Sequence, residues 1–135
     1  MDEYPLDSYH RVSSHELDSF GHVNNAIYLN YLEKARNDFL LQRGLSFQLF
    51  ADWKKFPVVT AARLQFKKPA LAGDLLHISG RITAHAETSF SLMYRIVHVV
   101  METVVLLAET DHVFIDEQNR PTRIPAEFRE KFLKN

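Results

Sequence analysis

The run Glu16-Leu17-Asp18-Ser19-Phe20-Gly21-His22-Val23-Asn24-Asn25 sets a carboxylate, a glycine turn and an imidazole directly ahead of a long amphipathic stretch. Asparagine is a favoured N-cap because its side chain accepts from the first unpaired N–H groups of a helix. The spacing therefore predicts a helix opening at Asn24 or Asn25. The N–H groups left over at that end, with the positive end of the helix dipole, make a site for an oxyanion. An acid beside such a site suits hydrolysis of an activated acyl group. One group takes a proton from the attacking water; the other holds the charge developing on the carbonyl oxygen. Taken alone, Asp18 also fits an ordinary turn, since Asp side chains bond the backbone just after them.

Other chemistries find less support. Seven histidines, from His10 to His112, make neither a helical His-x-x-x-His pair nor a cluster with carboxylates at ligand spacing, so no metal is expected. Ser13 and Ser14 lack a nucleophile-elbow context. The four glycines are too scattered for a phosphate-cradling loop. Cysteine is absent, which excludes disulfides, thiolate zinc sites and cysteine nucleophiles and suits a cytoplasmic protein. A formal net charge of −1 argues against a polyanion such as nucleic acid as partner. No apolar run approaches the roughly 20 residues of a membrane span. The N-terminal Met1-Asp2-Glu3-Tyr4-Pro5 is acidic and lacks the apolar centre of a secretory signal.

The elements that must position Asp18 can be read from hydrophobic periodicity. Tyr9 to Leu17 is short and polar-mixed, an edge strand leading into the Asp18 loop. From Asn25 to Arg43, Tyr28, Leu32, Ala35 and Phe39 recur at helical spacing, with Leu29 and Leu40 flanking the stripe. Gly44 supplies the left-handed stop, and the rod is roughly 28 Å long. Glu33 and Arg36, one turn apart, read as an exposed ion pair. Ser46 to Phe56 is an aromatic connector with room for one helical turn. The period then changes to two, in Val58–Lys67, Asp74–Ala84, Thr88–Val100 and Thr103–Ile115. Gly80 inside a strand suggests a bulge or bend. The turn near Met101-Glu102 contains none of the usual turn residues. Pro125 opens a short helix ending at Phe132. One long helix followed by a meander of long strands implies a single α+β domain over residues 1–135, with the helix on one face of the sheet.

Asp18-x-x-Gly21-His22-Val23-Asn24-Asn25-x-x-Tyr28-x-x-Tyr31-x-Glu33-x-x-Arg36 resembles the signature of hotdog-fold thioesterases, closest to their 4-hydroxybenzoyl-CoA and acyl-CoA thioesterase branch. The likeness continues in Pro57-Val58-Val59, Lys67-Lys68-Pro69-Ala70-x-x-Gly73-Asp74, Leu107-Ala108-Glu109-Thr110 and Arg120-Pro121-x-x-Ile124-Pro125, covering nearly the whole chain. It implies a hotdog fold, a curved antiparallel sheet of about five or six strands wrapped around one long central helix. It also implies a homodimer or dimer of dimers with sheets joined edge to edge and active sites between subunits. The implied reaction is hydrolysis of acyl-CoA to a free acid and CoA, without a separate cofactor.

By the same resemblance Asp18 is general base or nucleophile, the Asn25 amide holds the oxyanion, and His22 orients the thioester or a water. Glu16 occupies the place of a second acid and shapes the loop. Tyr28, Leu32, Phe47 and Phe50 are the candidates to contact the acyl group, and Arg63, Lys67 and Lys68 those to meet the coenzyme phosphates. Plant acyl-ACP thioesterases carry a similar His-Val-Asn-Asn string but an asparagine where this chain has Phe20, so an acyl-ACP substrate is the enzymatic alternative. A non-catalytic acyl-CoA binding domain is the alternative of another class.

Overall fold

The computed structural model describes residues 3–135; Met1 and Asp2, the start of the acidic N-terminal stretch, lie outside it. Five strands, β1 (Leu6–Arg11), β2 (Phe56–Phe66), β3 (Leu75–His85), β4 (Ser89–His98) and β5 (Val104–Ile115), form one antiparallel sheet in the order β1-β3-β4-β5-β2. Three helices accompany it: α1 (Ile27–Gln42), α2 (Phe47–Trp53) and α3 (Ala126–Phe132). No helix among the described residues is long and apolar enough to cross a membrane.

The sheet shows its periodicity directly. Leu76, Ile78, Gly80 and Ile82 of β3 and Phe90, Leu92, Tyr94 and Ile96 of β4 are buried on the face that meets α1. The helix answers with Tyr28, Tyr31, Leu32, Ala35 and Phe39, all buried. That stripe adds Tyr31 to the expected four. Gly44 ends α1 with φ +76°, and the Leu45 N–H reaches back to the Leu40 carbonyl, the reach-back expected of a glycine stop.

Several boundaries differ from the sequence reading. β1 runs over Leu6–Arg11 rather than to Leu17, because Ser13-Ser14 turns the chain. The Ser13 N–H donates to the Glu16 carboxylate (2.8 Å), closing a single 3-10 turn over Ser14–Glu16. α1 starts at Ile27, two residues after Asn25, because Asn24 caps a preceding turn. Its side-chain oxygen accepts from the Ala26 N–H (2.9 Å) and its carbonyl from the Ile27 N–H (2.9 Å). The aromatic connector holds the seven-residue α2 rather than one turn. Gly80 marks no bulge: the register shifts further on, between Ile82 and Ala84. Gly80 is needed because the Phe39 ring lies against it, where a Cβ would stand 2.5 Å from the ring Cε2.

β1 and β2 are the sheet's edges. β2 pairs with β5 on one side and is open on the other, with Phe56, Val59 and Phe66 all exposed along it.

Candidate active site

A loop closed on itself positions Asp18. Leu17 and Val23 form an isolated bridge, the Asp18 N–H donates to the His22 carbonyl (2.7 Å), and the Gly21 N–H returns to the Asp18 carbonyl (3.1 Å). Gly21 takes φ +79°, a left-handed conformation that glycine adopts freely. Oδ1 of Asp18 accepts from the Phe20 N–H (2.9 Å) and the His22 N–H (3.2 Å). This is the turn role that the residue type alone suggested. It leaves Oδ2 without a protein partner among the described residues.

Asp18 lines a cleft of about 210 Å³ with His22, Asn25, Tyr28, Phe66, Lys67 and Lys68. The Asn25 N–H donates to nothing among the described residues, because the turn bonds use Ala26 and Ile27 instead. Asp18, with one carboxylate oxygen fixed and one free, thus shares a cleft with Asn25, whose backbone N–H is unpaired among the described residues. Such a pair can take a proton and hold an oxyanion.

Glu16 stands behind the loop. Burial pushes its carboxyl up, but N–H and O–H donors from Ser13, His10 and Tyr31 outweigh that and hold it below the usual range. Its Oε1 meets His10 Nε2 at 3.1 Å and Tyr31 Oη at 2.9 Å. Glu16 therefore props the loop from the core side and does not line the Asp18 cleft.

The remaining candidates do not gather there. Phe47 and Phe50 line a second cavity, of about 530 Å³, between α1, α2 and the start of β2. Leu32 is fully buried and lines neither space. Arg63 lies on the exposed side of β2, paired with Glu109 and, at 3.1 Å, with Asp111, so its charge is already matched. Of the three cations put forward for phosphate, Lys67 and Lys68 border the Asp18 cleft and Arg63 does not.

The reading of Glu33 and Arg36 as an exposed ion pair is overturned, since no such pair forms. Arg36 turns inward and donates to Tyr94 Oη (3.2 Å). Tyr94 Oη lies 2.6 Å from Thr110 Oγ1, which lies 2.7 Å from His112 Nε2. Tyr94, Thr110 and His112 are all buried, and Phe90 stacks on the imidazole at 4.7 Å. The sequence reading missed this chain, although the period-two rule contained a signal. Thr110 and His112 fall in phase with Leu106, Ala108 and Phe114, on the core face of β5.

Burial, with the Arg36 guanidinium acting in the same direction, pushes His112 down to about 4. The unfolded chain would bind its proton from about pH 6.5 downward, so between those values the unfolded state holds more protons. Stability then falls as pH drops through that window, by about 3 kcal/mol in all. Urea titrations at pH 7 and pH 4 should show this loss for the wild type and a smaller one for His112→Phe. Equal losses in both proteins would show that His112 does not carry it.

The comparisons with known proteins follow the same lines. Residues 12–132 match the family described as the thioesterase-like superfamily. The chain is 30% identical over 123 residues to an Arabidopsis thaliana protein, acyl-acyl carrier protein thioesterase ATL3, covering 91% of this chain and 65% of that one. It is 38% identical over 72 residues to the Escherichia coli K12 long-chain acyl-CoA thioesterase FadM, covering 53% of this chain and 54% of that one. A crystal structure of a hypothetical protein from Aquifex aeolicus superposes with a TM-score of 0.89 at 26% identity, covering 96% of this chain and all of that one. The chain therefore belongs to the thioesterase-like superfamily and has its hotdog fold.

Proposed function

We propose that this chain hydrolyses acyl thioesters, with acyl-CoA as the carrier form. The observation that carries the reading is Asp18, held by two backbone donors on one oxygen and free on the other among the described residues, in one cleft with Asn25, whose N–H is likewise unpaired. The free oxygen either takes a proton from the attacking water or itself attacks the carbonyl carbon. In both routes the carbonyl oxygen gains charge as the carbon becomes tetrahedral, and a fixed N–H dipole stabilises that charge without reorganising. Collapse expels the thiolate and leaves the acid. His22 borders the same space and would orient the thioester, while Lys67 and Lys68 at the rim would face the coenzyme phosphates.

The open edge of β2 supports a dimer. An exposed apolar edge is an invitation to strand pairing. The start of β2, at Phe56 and Val59, borders the larger cavity, and its end, at Phe66, borders the Asp18 cleft. Val59 and Phe66 are about 23 Å apart along the strand. Antiparallel pairing of two copies of β2 would bring the Asp18 cleft of one subunit to the larger cavity of the other. Val59→Lys should then shift the sedimenting species toward the monomer and lower activity together. A wild type that sediments as a monomer at all concentrations would exclude this assembly.

Similarity to ATL3 favours acyl-ACP as the second reading of the carrier. Thiol release from acyl-CoA and from acyl-ACP of one chain length decides between them. Faster turnover on the CoA form is expected. Stoichiometric binding of both without thiol release would make the chain a binding domain instead.

A further inference from the structure

The larger cavity is not lined like a simple hydrocarbon pocket. One side is aromatic and aliphatic, with Leu40, Phe47, Phe50, Phe90 and Phe128. The other carries Glu33, Arg36 and Asn37 of α1 and His112 of β5. Its volume of about 530 Å³ lies within the roughly 300–1,000 Å³ common to small-ligand sites.

The direction of the buried hydrogen-bond chain decides what His112 presents there. Arginine can only donate, so Tyr94 Oη accepts from Arg36. The Tyr94 proton then has one available acceptor, Thr110 Oγ1, and the Thr110 proton goes on to His112 Nε2. The reverse direction would leave the proton of a fully buried tyrosine with no acceptor among the described residues, which is costly. Nε2 is thus the acceptor nitrogen, and the proton of the neutral ring sits on Nδ1. Nδ1 has no hydrogen-bond partner among the described residues, yet it is not among the sealed-in polar atoms. The ring lines the cavity.

We infer that this cavity receives the acyl part of the substrate, and that His112 Nδ1–H donates to a hydroxyl or ketone oxygen on that acyl group, away from the thioester carbonyl. The inference rests on the thioester reading for what the ligand is, but not on Asp18 for how it binds. A plain alkyl chain occupying the same space would cover a donor it cannot satisfy, whereas an oxygen at the right carbon would satisfy it. The Arg36-to-Thr110 chain is then a positioning device that fixes the tautomer.

The test compares free acids of one chain length, unsubstituted or carrying a hydroxyl or oxo group at successive carbons, for binding to the wild-type protein by calorimetry. One oxygenated acid should bind about tenfold more tightly than the plain acid. His112→Phe, which keeps an aromatic ring against Phe90, should reduce that ratio to near one. Long-range proton–nitrogen correlation spectra of the wild type should show the His112 proton on Nδ1, with the Nδ1 signal moving for the oxygenated acid and staying for the plain one. Equal binding of all acids by the wild type, or a proton found on Nε2, overturns the inference whether or not the variant folds. So does a preference that survives in folded His112→Phe. A chain that binds oxygenated acids selectively but releases no thiol would sink the proposed reaction and leave this site standing. Hydrolysis of plain and oxygenated thioesters at equal kcat/KM would do the opposite.

Discussion

Asp18→Asn should lower thioester hydrolysis by about three orders of magnitude while moving the melting temperature by no more than about 2 °C. The two effects separate because the turn and the proposed reaction use different oxygens of the carboxylate. Oδ1 accepts from the Phe20 and His22 N–H groups, and an asparagine oxygen in the same place accepts from both. Oδ2, which has no partner among the described residues, becomes an NH₂ that can neither take a proton nor attack a carbonyl carbon. Asp18→Ala is the less informative change, since it also removes both bonds that fix the loop. Initial rates on one acyl-CoA, with circular dichroism and a melting curve on the same sample, make the measurement. If folded Asp18→Asn retains activity within tenfold of the wild type, the residue is only a turn acceptor and another group must be the base.

The two oxygens of Asp18 also bear on how far the proposed site could be read from sequence. The motif sets Asp18, His22 and Asn25 close in sequence, and all three residues border one cleft. The helix face was legible because Tyr28, Leu32, Ala35 and Phe39 obey a single period. β4 was legible for the same reason. β2 was harder: the register shift between Val59 and Ala61 breaks its alternation, and both faces of this edge strand are largely exposed. The turn at Met101-Glu102 lies where expected despite its residue types. Glu102 accepts φ +58°, and His98 holds the loop, its Nδ1 accepting from the Met101 N–H (3.0 Å). Long side chains were the least legible. Arg36 sits one turn from Glu33, and local spacing favours their pairing. Only the fold supplies the competitor, Tyr94, 58 residues away.

Gly80→Ala should destabilise the protein by about 3 kcal/mol and lower its melting temperature by roughly 10 °C. The usual expectation has the opposite sign, because alanine in a strand interior is normally better than glycine by about 0.5–1 kcal/mol. Sterics decide here. A Cβ at this position would stand 2.5 Å from Cε2 and 2.9 Å from Cζ of Phe39. The ring is fully buried and stacks against Tyr94 at 6.2 Å, so it cannot swing aside without moving that residue. Tyr94 heads the chain to Thr110 and His112, so the strain would reach the polar side of the larger cavity. Pairing Gly80→Ala with Phe39→Leu opens room for the methyl group. The double variant should therefore be less destabilised than the sum of the two single changes, and a urea-unfolding cycle on the four proteins reads that coupling directly. Additive losses, or a rise in stability for Gly80→Ala alone, would mean that Phe39 yields freely and that the glycine is kept for some other reason.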